Sequence, residues 1–151
     1  MRPAAWLRVA AVLTLIHAVL HTVGGVYGAQ DPGPQTVAAT AMKANTFVVF
    51  GNVRSFWTFY RGMGLVVTVL LTLEAVVFWL LGGLAKTEGV RLRPVVLVFA
   101  VGYVALAVVS WGHFFLGPVI TELLIAACLG VAAPGLAGQR VSKSAAELLT
   151  R

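Results

Sequence analysis

The sequence predicts an all-α integral-membrane protein: an up-down antiparallel four-helix bundle, with a short interfacial helix in the loop between helices 1 and 2. Three observations carry this. Hydrophobic residues make up 60% of the 151-residue chain and charged residues only 11%, against about 25% charged in soluble domains. Four apolar stretches approach or exceed the ~20 residues an α-helix needs to cross the hydrocarbon core. Short connections join the last three stretches, which sets consecutive helices antiparallel. The length suits a single transmembrane domain over 1–151, with no separate soluble module.

The first span covers 4–26 and the second 59–84. The third, 94–115, opens on Pro94, a residue suited to the first helical turn. The fourth, 118–136, ends at Pro134 and Gly135, leaving 137–151 as a tail. Residues 85–93 and 116–117 read as turns. Residues 27–58 are long for a connection. Within them QDPGP at 30–34 signals a turn, 35–43 reads as a short helix, and TFVVFGNVRSFWTFYRG at 46–62 reads as a helical approach to the second span.

The charge distribution orients the bundle. A net charge of +6 could suggest nucleic acid, but the basic residues flank apolar segments and form no basic face interleaved with aromatics. Arg2, Arg8, Lys86, Arg91, Arg93, Arg140, Lys143 and Arg151 fall on one side, against Lys43, Arg54 and Arg61 on the other. The positive-inside rule then puts both termini in the cytoplasm. Trp6 and Trp79 mark the inner interface, and Tyr27, Trp57, Tyr60 and Trp111 the outer one. A cleaved signal peptide is the rival reading of the N-terminus; two histidines inside the apolar run, and its length, weigh against it. Cys128 is the one cysteine, so neither an intramolecular disulfide nor a multi-cysteine metal site is available.

Ionisable residues within the spans are what composition leaves unexplained. An acid or base at a helix centre costs about 2.5 to 3.5 kcal/mol on the translocon scale, so such groups face a bundle interior or one another. Counted from the outer end at Val26, His21 lies roughly 7 Å deep and His17 roughly 13 Å, and their i,i+4 spacing stacks them on one face. His113 lies within a turn of the outer end of the third span, and Glu122 about 6 Å inside the fourth. Arg61 and Tyr60 stand at the outer mouth of the second span, with Arg54 and Trp57 preceding them. These residues are expected to converge in the outer third of the bilayer, with Glu122 paired to Arg61, Arg54 or a protonated histidine. Glu74 stands apart, roughly 20 Å below Tyr60. Gly24, Gly25, Gly28, Gly62 and Gly64 suit close helix approach. No P-loop, dinucleotide fingerprint, HExxH, CxxC or GxSxG is present.

The patches HAVLHTVGG (17–25), FGNVRSFWTFYRGMGL (50–65), LEAVVFWLLGGLAKT (73–87) and SWGHFFLGPVI (110–120) resemble an uncharacterised family of small bacterial four-helix membrane proteins. The resemblance covers most of the chain. It implies the span count and the cytoplasmic membrane of a bacterium, and it supplies no activity or site residues.

Three functions fit these residues. In the first, a pocket opening to the outer leaflet admits a lipophilic molecule with a polar head. His21, His113 and Glu122 handle protons as catalytic groups. Arg54 and Arg61 orient an anionic group, and His17, Trp57, Tyr60 and Glu74 complete the binding set. Isomerisation or another acid–base reaction suits it better than hydrolysis, since no activated nucleophile is visible. In the second, a first-span histidine and His113 ligate a b-type haem, or His17, His21, His113 and Glu122 hold a divalent metal. The third is an accessory subunit of a membrane complex, whose polar residues serve helix packing. Cofactor, metal and reaction stay open at this level; membrane lipids, a lipophilic small molecule and other membrane subunits are the expected partners, and nucleic acid is not.

Overall fold

The computed structural model describes residues 2–28 and 32–137. The expected tail therefore lies, but for residue 137, outside the described residues. Helix α1 spans Pro3–Leu20 and continues as a π-helical segment, His21–Val26. Helix α2 is Pro34–Ala44, strands β1 and β2 are Thr46–Val49 and Asn52–Ser55, and three long helices follow: α3 Phe56–Leu84, α4 Gly89–His113 and α5 Leu116–Ala137. Helix takes 83% of the described residues, so the all-α expectation holds apart from one hairpin. Four helices, Pro3–Val26, Phe56–Leu84, Gly89–His113 and Leu116–Ala137, are long and apolar enough to cross a membrane.

Two helices start earlier than expected. Helix α3 starts at Phe56 because Ser55 caps it reciprocally: the Thr58 amide donates to Ser55 Oγ (3.1 Å) while the Ser55 amide donates to Thr58 Oγ1 (3.1 Å). Helix α4 starts at Gly89, five residues before the proline expected to open it, so Pro94 lies inside the helix. Helix α2 opens as its sequence directs, with Pro34 in the first turn after Gly33 at φ 111°.

The helical approach expected over residues 46–55 is a β-hairpin instead. Its register pairs Thr46 with Ser55, Phe47 with Arg54, Val48 with Val53 and Val49 with Asn52. Phe50 (φ 47°) and Gly51 (φ 77°) make the two-residue loop, and positive φ at both central positions is what a type I′ turn requires. The β-branched residues on each side of Phe50-Gly51 prefer the extended backbone. Phe47 then packs on Phe56 and Phe59, with ring centroids 4.8 and 5.8 Å apart.

The described residues form two compact units, 2–17 with 72–137 and 18–28 with 32–71, and α1 and α3 contribute residues to both. In the first, Leu7, Phe78, Val96, Tyr103, Ile125, Leu129 and Leu136 are fully buried or nearly so. Phe78 meets Phe99 edge-on at 5.0 Å. A Cβ added to Gly82 would stand 3.3 Å from the Ala4 carbonyl oxygen, and one added to Gly135 the same distance from the Pro3 ring. The start of α1 thus packs against the ends of α3 and α5. Many of the buried residues are small, including Ala10, Ala11, Ala75, Ala107, Ala126, Ala132 and Ala133, while large ones such as Leu15, Ile16, Leu70, Val98 and Val108 point outward. Water penalises such an outward apolar surface. Lipid does not, and close backbone approach through small residues is how helices associate there.

In the second unit the π-helical segment packs on α3 at Gly64. A Cβ on Gly64 would sit 2.8 Å from Val26 Cγ2. Gly64→Ala is therefore expected to destabilise the protein by about 1–3 kcal/mol through overpacking, and adding Val26→Ala should restore at least half of the loss. Equilibrium unfolding in mixed detergent micelles measures both.

Candidate functional site

Polar side chains within the first unit line up along one face of α4. Tyr103 and Ser110, seven residues apart, belong with Val96 and Ala107 to its buried stripe. The Tyr103 hydroxyl donates to Glu74 Oε2 on α3 at 2.5 Å. The Ser110 hydroxyl donates to Glu122 Oε1 on α5 at 3.0 Å. Thr14 of α1, fully buried, also neighbours the Tyr103 phenol, while its own hydroxyl donates back to the Ala10 carbonyl at 2.9 Å. Glu122 is 6% exposed. Its second oxygen, Oε2, is buried and has no hydrogen-bond partner among the described residues.

This corrects one expectation. Glu122 takes its hydrogen bond from a serine and not from an arginine or histidine. Glu74, like Glu122, is served by a hydroxyl of α4. Arg91 and Glu88 form an ion pair, 3.4 Å apart at the surface. The reason is the cost of burial. A buried hydroxyl or carboxyl without a partner costs roughly 2–7 kcal/mol. A short hydroxyl on the facing helix satisfies it without dragging a second charge out of water.

The other candidates have different surroundings. His113 is exposed, and its Nδ1–H donates to the Val109 carbonyl of its own helix at 2.9 Å. His17 is half-buried on α1. In the second unit, His21 Nε2 lies 3.0 Å from the Gly64 carbonyl oxygen. A carbonyl only accepts, so this contact puts the ring proton on Nε2. The neighbouring Thr22 hydroxyl donates to the Ala18 carbonyl at 2.6 Å and meets the Thr68 hydroxyl at 2.9 Å. The Arg61 guanidinium lies over the Tyr27 ring, 4.6 Å from its centroid. Lys43 lies over Trp57 at 4.9 Å, and Trp57 stacks on Tyr60 at 5.8 Å. Arg54 is exposed and donates to the Val53 carbonyl at 2.8 Å. No group of three histidine, cysteine or acidic side chains suited to a metal ion occurs among the described residues, so the expected four-residue metal set is not assembled.

Thr14, Tyr103 and Ser110 escaped the sequence reading because hydroxyls are ordinary in apolar helices. The usable signal was the seven-residue spacing of Tyr103 and Ser110 in an otherwise apolar helix, together with two acids in need of donors. Tyr103→Phe should cost about 1–3 kcal/mol of stability by leaving Glu74 without its donor. In a Glu74→Leu background the same change should cost less than about 0.5 kcal/mol, because nothing is then left unpaired. A double-mutant cycle by equilibrium unfolding reads the difference.

No protein-family model, curated protein or solved structure matches the chain. The chemistry of the site rests on the geometry of α4 and the two carboxyl groups it faces.

Proposed function

We propose that the protein is a multi-pass membrane protein that binds the polar end of a lipophilic molecule at the α4-centred carboxyl–hydroxyl site, with Glu122 as its acid–base group. The observation that carries this is the buried, unpartnered Oε2 of Glu122. As a carboxylate that oxygen needs a donor; as a carboxylic acid it needs an acceptor. Either requirement is met by a hydroxyl, carbonyl or amine at the head of a molecule whose tail lies in lipid. Ionisable groups within spans mark functional sites by default. Glu122 is also the one buried member of the proton-handling set His21, His113 and Glu122. Tyr103 and Glu74 extend the same polar line and can carry the rest of the head group.

The carboxyl site is preferred to a haem site because Glu122, Ser110 and Thr14 are buried, whereas His113 is exposed and His17 and His21 are half-buried. The reading includes both termini on the cytoplasmic face of a bacterial membrane, up-down helices and α2 at the opposite interface. Its support is the grouping of basic residues, with Arg8 lying over Trp79 at 5.3 Å. Association with other membrane subunits belongs to the competing accessory role.

The two roles differ in what Glu122→Leu does. A binding carboxyl burdens the empty protein, so its removal should leave thermal stability unchanged or raised. The affinity for a retained lipophile should fall at least about tenfold, the loss expected from about 1.5–3 kcal/mol of a charge-assisted hydrogen bond. Mass spectrometry of lipid extracts from the purified protein, followed by thermal-shift titration with what is found, measures both. Loss of folding in Glu122→Leu, with no co-purifying lipophile, would favour the accessory role.

A further inference from the structure

The second unit carries a different chemistry. The charged side chains among its described residues are Lys43, Arg54 and Arg61, all basic. Lys43 and Arg61 each lie against an aromatic ring, at 4.9 and 4.6 Å. Trp57, which carries Lys43, and Arg61 are four residues apart on α3 and so share a face. Tyr60 extends the aromatic surface by stacking on Trp57 at an interplanar angle of 28°.

These ring contacts hold the cations in place but supply no counter-charge. A guanidinium lying over a ring uses its face and leaves its N–H edge available, and that edge is the part that matches a phosphate. The Nε of Arg61 is buried and has no hydrogen-bond partner among the described residues. Helix α3 also determines the level of this band. Its 29 residues are longer than a span needs: such a helix rises about 43 Å, against a hydrocarbon core of about 30 Å. A surplus at the end that carries Trp57, Tyr60 and Arg61 would set them at the headgroup level, where such residue types belong.

We propose that the Lys43–Trp57–Tyr60–Arg61–Tyr27 band binds the phosphate of an anionic phospholipid, with Arg61 and Lys43 as donors and the aromatic rings at the boundary between headgroup and acyl chain. A lipid is chosen over a soluble anion because the band continues directly into a membrane-spanning helix. The site does not depend on Glu122.

The test is lipid competition. Purified protein in detergent is given an equimolar mixture of phosphatidylglycerol and phosphatidylcholine with matched chains, and retained lipid is counted by native mass spectrometry. Phosphatidylglycerol should be retained preferentially. Lys43→Gln and Arg61→Gln should each reduce that preference about fivefold, the equivalent of about 1 kcal/mol per basic residue near an anionic lipid surface, and the double variant should abolish it. Glu122→Leu should leave it intact. If the double variant does not fold, Lys43→Gln alone carries the test, since that side chain is exposed. Equal retention of the two lipids by the unaltered protein, or a preference that Lys43→Gln does not lower, overturns the proposal. Complete displacement of the lipid by inorganic phosphate overturns the choice of a lipid.

Discussion

A carboxyl group inside an apolar helix bundle must find a hydrogen-bond donor, and most of the first unit follows from how this chain supplies one. Helix α4 presents Tyr103 to Glu74 and Ser110 to Glu122 from a single buried stripe. Val96 and Ala107 are buried on the same face. In lipid, apolar side chains gain little by turning inward while polar ones must be satisfied inside the bundle, and small residues let the backbones close around them.

The two units solve the packing problem with related means. In the first, alanines of α1, α3, α4 and α5 line the interior while larger residues face outward. In the second, Gly64 admits Val26, and its carbonyl oxygen lies within hydrogen-bond distance of both His21 Nε2 and Thr68 Oγ1. The π-helical segment brings its own requirement: the Tyr27 amide donates to the Thr22 carbonyl, a wider step than the α-helical one. Side-chain donors near such a segment compensate for the disturbed backbone ladder, as the Thr22 hydroxyl does on the Ala18 carbonyl.

The spans were legible in the sequence because length and hydropathy determine them. The four expected segments differ from the observed helices by no more than three residues at each end, except where α4 runs back past Pro94 to Gly89. The hairpin was not legible from hydropathy, since TFVVFGNV is apolar in either form. Its signal lay in β-branched residues around a Phe-Gly pair able to take positive φ. Glu74 and Glu122 were legible as anomalies, but their partners were not. Charge invites the expectation of a counter-charge, while at membrane depth a tyrosine or serine hydroxyl is the less costly donor. For Lys43 and Arg61 the sequence showed aromatic residues close by, but which ring each cation meets depends on how residues from Tyr27 to Arg61 fold back on one another.

Hydroxyls of α4 hold the half-buried Glu74 carboxyl and the buried Glu122 carboxyl, each its own. Isotope-edited infrared spectroscopy of the glutamate carboxyls in the reconstituted protein tests this most directly, with the bands identified by their loss in Glu74→Gln and Glu122→Gln. The Glu74 band should shift in Tyr103→Phe and hold in Ser110→Ala, and the Glu122 band should do the reverse. Bands that stay in place in both variants, or that move together in each, would contradict this account.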